Sequence, residues 1–230
     1  MPVHNIAGDL IIAIDGPAGA GKSSVARGLA EYLGYTYIDT GAMYRAVAWL
    51  GLRCGIVENE EELTRLASDM KFEFIRQDGA QRIVVNGCDI TDEIRTPKIS
   101  RLASPISAVA GVREQLSALQ RRFGKRGGVV MEGRDIGTVI FPEAQVKIFL
   151  TASVEERARR RWLELQKRGS DIRYELVLAD IEERDNRDSN RALAPLRPAK
   201  DAVLIDSDKK SINDVIQEII SVCEGVTAKR

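Results

Sequence analysis

The sequence predicts an α/β fold with a five-stranded parallel sheet between layers of helices. Apolar, β-rich runs alternate with stretches of helical periodicity along the 230 residues. The runs are mostly continuous rather than alternating, as expected of strands that are buried on both faces. Helices between such strands indicate parallel pairing. The candidate core strands are Leu10 to Asp15, Tyr35 to Asp39, Val129 to Glu132, Val146 to Thr151 and Ala202 to Asp206.

One region departs from this α/β pattern. Residues 71 to 91, KFEFIRQDGAQRIVVNGCDIT, alternate apolar and polar side chains on either side of Asp78-Gly79. Such alternation around a turn is typical of a small antiparallel hairpin. We therefore expect an inserted subdomain over residues 64 to 104, with its own small sheet, in a chain that otherwise folds as a single domain from 1 to 230.

Composition excludes several classes of function. The formal net charge is +0, so no global field attracts nucleic acid or a membrane, and any anion-binding surface must be local. Cys54, Cys88 and Cys223 show no CxxC spacing, which argues against a disulfide framework or zinc site and for a reducing compartment. No signal peptide or membrane-spanning apolar segment is evident. We expect a cytoplasmic, soluble protein that binds neither nucleic acid nor membranes, and the balanced charge favours a monomer.

The strongest chemical signal is GPAGAGKSS, which follows the first predicted strand and precedes a helical stretch. It matches the phosphate-binding pattern GxxxxGK followed by Ser or Thr, in the strand-to-helix context that confirms the motif. Glycines let backbone N–H groups converge on phosphate oxygens, Lys22 reaches the β- and γ-phosphates, and the Ser23 hydroxyl can bind magnesium. The candidate ATP-binding residues of this loop are Gly16, Pro17, Ala18, Gly19, Ala20, Gly21, Lys22, Ser23 and Ser24.

A nucleotide-binding loop leaves the class of protein open. A switch GTPase would normally carry an NKxD stretch that reads guanine, and this sequence has none. A motor ATPase needs a longer chain. The short length and the position of the loop near residue 16 favour a compact module. A kinase of a small molecule fits these observations, and a nucleotide sensor that transfers nothing is the more distant alternative.

Two further motifs follow predicted strands, where an open α/β sheet places its ligand crevice. Asp39 and Thr40 end the second strand, and Arg45 lies in the helix that follows. The Asp-Thr pair would also serve as a helix N-cap. Arg134 and Asp135 lie in MEGRDIGT, directly after the third strand. The alternative there is a turn with a surface ion pair, although ligand-binding loops favour this location.

Arginines are concentrated in VEERARRRWLELQKRG, after the fourth strand. Arg157, Arg160 and Arg161 share one surface of the predicted helix. A charged run is commonly a solvated face. At this position, however, a mobile arginine-bearing helix could close over the triphosphate and exclude water. We therefore expect a lid over residues 152 to 172, with ATP contacts from the three arginines.

The stretch ERDNRDSNR has charges where core residues should lie. In a helix from Tyr174 to Asn190, the apolar stripe of Val177 and Ile181 continues onto charged residues. Charged side chains are rarely buried without a partner. This face is therefore either a solvated helix end or one wall of an anion-binding cleft. The charged residues concerned are Arg184, Asp188 and Arg191.

Four motifs together resemble the bacterial cytidylate kinases: GPAGAGKSS, DTGAMYR, EGRDIGT followed by FP, and ERDNRDSNRALAPL. The resemblance covers nearly the whole chain and is far more specific than the phosphate-binding loop alone. It implies a three-layer P-loop kinase with a five-stranded parallel core, a small antiparallel β insertion that binds the monophosphate, and a short helical lid. It also implies transfer of the γ-phosphoryl group of ATP to CMP or dCMP in pyrimidine nucleotide metabolism, with Mg²⁺ as cofactor.

The resemblance implies residue roles and favours the cleft for the charged helix face. The residues that would read the cytosine edge are Ser104, Arg113 and Asp135. The residues that would hold the acceptor phosphate are Arg45 and Arg134. The residues that would hold the ribose and the phosphates are Arg184, Asp188 and Arg191. The cations that would neutralise charge during the transfer are Lys22, Arg134, Arg184 and Arg191.

Two positions differ from the family pattern, and the stretch after the second strand argues against a rival family. Thr40, a substrate-binding position, stands where serine is common and keeps the hydroxyl. Ala18 stands where members often carry a P-loop serine, and the missing hydroxyl leaves the arginines to supply one acceptor-phosphate contact. Shikimate kinase, the nearer rival, typically has Asp-x-Asp where this chain has Asp39-Thr40-Gly41.

Phosphoryl transfer does not require the single histidine, His4. A phosphate monoester has a second pKa of about 6, so the attacking oxygen of CMP is already anionic at neutral pH and needs no general base. Positioning and charge neutralisation suffice. Water must be excluded, and closure of the insertion and the lid around both substrates would supply that exclusion.

Overall fold

A computed structural model describes residues 9–77 and 80–228. The predicted Asp78-Gly79 turn and His4 lie outside the described residues. The strands are β1 (Ile11–Asp15), β2 (Thr36–Asp39), β3 (Phe72–Gln77), β4 (Ala80–Val85), β5 (Cys88–Asp89), β6 (Val129–Gly133), β7 (Val146–Thr151) and β8 (Val203–Asp206). The α-helices are α1 (Lys22–Leu33), α2 (Thr40–Cys54), α3 (Glu60–Asp69), α4 (Pro97–Ile106), α5 (Ala110–Gly124), α6 (Val154–Lys167), α7 (Tyr174–Asn190) and α8 (Ile212–Thr227). A short 3-10 helix spans Glu93–Arg95, and one turn of π-helix spans Ile136–Ile140.

The core sheet has the strand order β2-β6-β1-β7-β8, which confirms all five predicted core strands. The pairs that β1 makes with β6 and β7, and that β7 makes with β8, are parallel. Asp15, the last residue of β1, lies opposite Gly133 of β6 and Phe149 of β7. The loops that follow these strands therefore leave from one edge of the sheet, where α/β folds bind their ligands.

The chain divides into two compact units. The first, here called the sheet unit, comprises the described residues up to Tyr37 and from Gly124 onwards. Its core packs α1 and α8 against the sheet, with buried side chains such as Ile14, Leu29 and Ile219. A smaller apolar cluster joins α6 to α7, in which Ala158 and Leu165 meet Val177 and Ile181.

The second compact unit, here called the hairpin unit, spans Ile38–Phe123. It contains the antiparallel sheet β3-β4-β5, so the predicted small antiparallel sheet is confirmed. Its hydrophobic core is formed mainly by α2, α4 and α5 with the inner face of that sheet, and includes Met43, Ile83 and Leu116. The boundaries 64 to 104 for an insertion and 152 to 172 for a lid stay predictions.

Local signals in the sequence explain where several helices begin. Asp39 caps α2, since its side chain accepts a hydrogen bond from the N–H of Ala42 at 2.9 Å. Ser211 and Asp214 form a reciprocal capping box at the start of α8. Within residues 9–77 and 80–228, no helix has the length and apolar character needed to span a membrane.

Candidate active site

The loop between β1 and α1 forms a phosphate-binding cradle. A Cβ on Gly16, whose φ is +147°, would lie 2.0 Å from the carbonyl oxygen of Leu150, so only glycine fits there. Gly21, the N-cap of α1, has the left-handed conformation and makes no side-chain capping hydrogen bond. The N-cap residue therefore offers no side-chain acceptor to the first N–H groups of α1, which suit a phosphate group.

Lys22 is buried at the start of α1 and lies close to other cations. Its Nζ donates a hydrogen bond to the carbonyl oxygen of Pro17 at 2.6 Å. Burial, reinforced by the positive charges of Arg134 and Arg184, lowers the pKa of Lys22 to about 7. Glu132 and Asp15 act in the opposite direction. Cations gathered at this cradle repel one another, and bound phosphates would relieve that repulsion.

The charged end of α7 enters an ionic cluster instead of facing solvent. Asp188 is buried, and its Oδ2 lies 2.9 Å from Nε of Arg134 and 4.0 Å from Nε of Arg184. Nη2 of Arg191 lies 3.8 Å from Oδ1 of Asp135, and both side chains are 7% exposed. Burial opposes ionisation of Asp188, but Arg134 and Arg184 hold its pKa below the usual value. The arginines are thus positioned by carboxylates beside the phosphate-binding loop.

Two carboxylates at this edge were not predicted from the sequence. Asp15 accepts hydrogen bonds from the backbone N–H groups of Ile136 and Gly137, each at 2.8 Å. Glu132, near the end of β6, accepts a hydrogen bond from the hydroxyl of Tyr37. The available signal was local: Asp15 ends a buried strand directly before GPAGAGKSS, and Glu132 lies near the end of a buried strand within MEGRDIGT. Their partners, however, are distant in sequence, so the pattern alone could not assign them.

Arg157 of α6 contacts the backbone of the phosphate-binding loop. It is buried; Nε donates to the carbonyl oxygen of Ala152 at 3.0 Å and Nη1 to that of Ala18 at 3.2 Å. Nη1 also donates to Asp185 of α7. Its Cβ is so close to Gly19 that a side chain there would approach to 2.9 Å. The backbone of the loop is therefore attached to both helices of the α6–α7 pair.

The other two predicted lid arginines are partly exposed and bind different groups. Arg160 donates to Oγ and the carbonyl oxygen of Ser207 at 2.9 and 2.7 Å. Arg161 donates to Glu164 at 2.7 Å, one turn along the same helix. Of the three predicted ATP contacts on α6, Arg157 donates to the loop backbone at Ala18. Arg160 lies near the end of the loop, since its Nη1 would lie 3.8 Å from a Cβ on Gly21.

The hairpin unit holds Thr40 and Arg45 at the start of α2. Asp39 caps the helix, as the alternative interpretation held, and its Oδ2 also lies 2.9 Å from Nη2 of Arg45. Thr40, the first residue of α2, is buried. The Asp39 carboxylate therefore has two structural tasks, and it fixes the arginine predicted to hold the acceptor phosphate.

Ser104 and Arg113 also lie in the hairpin unit, on α4 and α5. Oγ of Ser104 is buried and has no hydrogen-bond partner among the residues that the structure describes. Arg113 is buried, donates to the carbonyl oxygen of Ser107 at 3.1 Å, and lies 5.8 Å from the ring centroid of Tyr44. A buried hydroxyl group without a hydrogen-bond partner, such as that of Ser104, is energetically unfavourable unless a bound ligand supplies the partner.

The residues present fit a magnesium ion that is held mainly by substrate. Mg²⁺ in nucleotide sites keeps several waters and takes few protein ligands besides phosphate oxygens. Ser23 offers an exposed hydroxyl oxygen in the first turn of α1. Over the described ranges, there is no cluster of three or more His, Cys, Asp or Glu that would hold a metal by itself.

Comparisons with known proteins identify relatives along almost the entire chain. A family model described as cytidylate kinase matches residues 12–225. A cytidylate kinase of Syntrophotalea carbinolica is 50% identical over 214 residues, which are 93% of this chain and 91% of the relative. Another from Geobacter sulfurreducens is 52% identical, covering 93% and 92%. Among solved structures, an uncharacterized protein from Eubacterium ventriosum aligns with a TM-score of 0.52 at 14% identity, covering 95% of this chain and 99% of that chain.

Proposed function

The chain belongs to the cytidylate kinase family, and on that premise we propose that it transfers the γ-phosphoryl group of ATP to CMP or dCMP. The products are ADP and CDP or dCDP. The observation that carries the proposal is the gathering of Lys22, Arg134 and Arg184 at the phosphate-binding loop, where burial and the charges of the two arginines depress the pKa of the lysine. A site that binds one triphosphate needs fewer cations than one that also brings in the phosphate of an acceptor.

Catalysis rests on positioning and electrostatics. The second pKa of a phosphate monoester is about 6, so the acceptor oxygen is anionic at neutral pH and no general base is needed. Lys22, Arg134, Arg184 and Arg191 screen the repulsion between the two substrates and stabilise charge on the transferred phosphoryl oxygens. The carboxylate of Asp188 holds two of these arginines, Arg134 and Arg184, in place.

The ATP side is formed by the loop from Gly16 to Ser24. Ser23 would hold Mg²⁺, which supplies charge neutralisation on the β- and γ-phosphates. Arg160 is the best-placed lid residue to reach ATP directly, whereas Arg157 acts through the backbone of Ala18. We assign the lid to residues 152 to 172, whose task is to exclude water and so prevent hydrolysis of ATP.

The acceptor is recognised by residues that the family resemblance assigns. The residues for the cytosine edge are Ser104, Arg113 and Asp135; those for the phosphate and ribose are Thr40, Arg45, Arg134, Arg184, Asp188 and Arg191. The unpartnered hydroxyl of Ser104 supports its assignment. The proposal further places the enzyme in pyrimidine nucleotide metabolism of the cytoplasm, as a monomer without nucleic-acid or membrane partners.

Product analysis tests the proposal. The protein is incubated with ATP, Mg²⁺ and CMP, and the phosphorus species are followed by ³¹P NMR. Appearance of CDP and ADP in equal amounts, without free phosphate, supports kinase activity. Release of inorganic phosphate that is independent of CMP would instead identify a nucleotide hydrolase or sensor.

A further inference from the structure

We propose that Asp15 is a positioning residue for the acceptor nucleotide. Its carboxylate fixes the segment that carries Arg134 and Asp135 against the end of β1. This inference rests on the proposed function, because it concerns how the same site holds CMP. It adds a residue that neither the motifs nor the family resemblance assigned.

The geometry joins two loops through one side chain. Asp15 is the last residue of β1, directly before Gly16 of the phosphate-binding loop, and its side chain is buried. Each carboxylate oxygen accepts one backbone hydrogen bond at 2.8 Å, from Ile136 and Gly137 respectively. These partners are 121 and 122 residues away along the chain.

Asp15 replaces the cap that Asp135 would ordinarily supply. Ile136 and Gly137 are the first residues of the π-helical turn, whose initial N–H groups have no partner within the turn. Asp135 occupies the N-cap position, yet its side chain makes no capping hydrogen bond. Its carboxylate lies 3.8 Å from Arg191 instead. Because Asp15 satisfies the N–H groups, the carboxylate of Asp135 can face the ionic cluster.

The surroundings show that this arrangement is closely packed. A Cβ on Gly137 would lie 3.5 Å from Oδ2 of Asp15 and 3.3 Å from the side chain of Lys147, so the turn lies directly on both. Burial of a carboxylate is unfavourable, and an apolar residue would fill the space with less cost. The two N–H donors and the nearby Lys22 offset that cost. A charged residue at this position is therefore suited to positioning the segment, not to filling the core.

The test compares Asp15→Asn with Ile12→Val, a matched control that removes one methyl group from the buried part of the same strand. An amide oxygen accepts from one N–H group but presents its own N–H₂ to the other. We expect the KM for CMP and its dissociation constant, measured by calorimetry, to rise about tenfold in D15N. The KM for ATP should change less than about threefold, and I12V should leave both constants close to those of the wild type.

The outcomes separate the inference from the proposed function. Equal weakening of ATP and CMP binding in D15N would reduce Asp15 to a structural support and overturn the inference. An unchanged affinity for CMP would do the same. A wild-type protein that phosphorylates no CMP would overturn the proposed function and the inference with it.

A measurement on the wild type covers the case in which D15N does not fold. Amide hydrogen exchange is followed at Ile136 and Gly137 with CMP and, separately, with a non-hydrolysable ATP analogue. Slower exchange that depends on CMP supports the inference, since the acceptor then stabilises the segment that Asp15 holds. Exchange that responds only to the ATP analogue, or to neither ligand, contradicts it.

Discussion

The ammonium group of Lys22 occupies a position that is unfavourable until an anion binds. It is buried, it lies near Arg134 and Arg184, and its pKa falls to about 7 through burial and their positive charges. Functional sites often retain such unfavourable charges because the ligand supplies the missing partner. Stability and activity should therefore respond in opposite directions when the charge is removed.

Replacing Lys22 with methionine tests that expectation. K22M should leave the unfolding free energy of the ligand-free protein unchanged or raise it by about 1 kcal/mol, because a buried charge is removed at the cost of one hydrogen bond. The same change should lower kcat by about 100-fold or more, since a cation that stabilises transition-state charge is lost. Urea denaturation and steady-state kinetics give the two values, with the exposed Lys125→Met as control. A strongly destabilised K22M would contradict this account.

The buried carboxyl group of Asp15 should make the free energy of unfolding depend on pH. Burial raises its pKa from 3.8 to about 6, against the effect of its two backbone hydrogen bonds. The native state therefore holds a proton that the unfolded state has lost between pH of about 4 and 6. Its contribution to stability is present below that range and falls by about 3 kcal/mol as the pH rises through it.

The comparison of wild type with D15N isolates this contribution. Urea unfolding is measured for both proteins between pH of about 4.5 and 7, a range that spans the pKa of Asp15 in the native state. The unfolding free energy of the wild type minus that of D15N should decrease with rising pH. Lys22 and Asp135 are the other charged groups that act on Asp15. A difference that is constant with pH, or that increases, would show that the carboxylate is ionised in the native state throughout.

We expect the hydroxyl of Ser104 to contribute to binding of the acceptor nucleotide and little to the stability of the fold. Its Oγ is buried and has no hydrogen-bond partner in the part of the chain that the structure describes, so S104A should keep or slightly raise the melting temperature. The value of kcat/KM for CMP should fall about tenfold, because the cytosine loses one hydrogen bond in a desolvated site. The buried Ser117→Ala serves as a matched control. Unchanged kinetics for S104A would remove it from the base-reading set.

At the scale of elements, Arg157 of α6 is ion-paired with Asp185 of α7 and hydrogen-bonded to the phosphate-binding loop. Arg157 of α6 and Asp185 of α7 have side chains that are 7% and 21% exposed, and Arg157 also binds the carbonyl oxygen of Ala18. The helix that carries Arg184 and Asp188 is thus connected to the loop. The ion pair of Arg157 with Asp185 should therefore position both the backbone of the phosphate-binding loop and the arginines of α7.

A double-mutant cycle on Arg157→Ala and Asp185→Ala measures this connection. We expect a coupling energy of about 1–3 kcal/mol in unfolding experiments, because the pair is mostly shielded from solvent. The pair of Arg159 with Glu156 on the surface of α6 is the control, with an expected coupling of about 0.5 kcal/mol or less. Each single mutant at 157 or 185 should also raise the KM for ATP. Coupling no larger than that of the control would remove the structural role assigned to Arg157.

The sequence predicted the elements whose signals are local. Strand β1 and its neighbours were identified because their apolar runs are continuous, and the small sheet because residues 71 to 91 alternate. Helix α7 was expected from Tyr174 to Asn190 and has those bounds. The π-helical turn at Ile136–Ile140 was not predicted, since it depends on a cap from Asp15, which no periodic pattern reveals.

The same distinction applies to the candidate site. The loop from Gly16 to Ser24 follows from fixed spacing, and the charged stripe of α7 could be read from helical periodicity. The partners of Asp15, Glu132 and Arg157 could not, because each is brought into contact by the sheet or by neighbouring helices. Local sequence thus supplied candidate residues, and the fold determined which groups they contact.

For the whole molecule, charge is balanced overall yet unevenly placed. The formal net charge is +0, while Lys22, Arg134 and Arg184 lie together at the phosphate-binding loop. This local concentration of positive charge suits the binding of phosphates at one place. The central claim is that the second occupant of this place is a cytidine monophosphate.

The most direct test is the initial rate of ADP release with ATP and Mg²⁺ against CMP, dCMP, UMP, AMP, GMP, dTMP and shikimate. We predict rapid turnover confined mainly to CMP and dCMP, and little ADP release when no acceptor is present. Preferred turnover of another acceptor would keep the phosphoryl-transfer chemistry but contradict the base-reading residues. ADP release at the same rate with and without every acceptor would contradict the central claim.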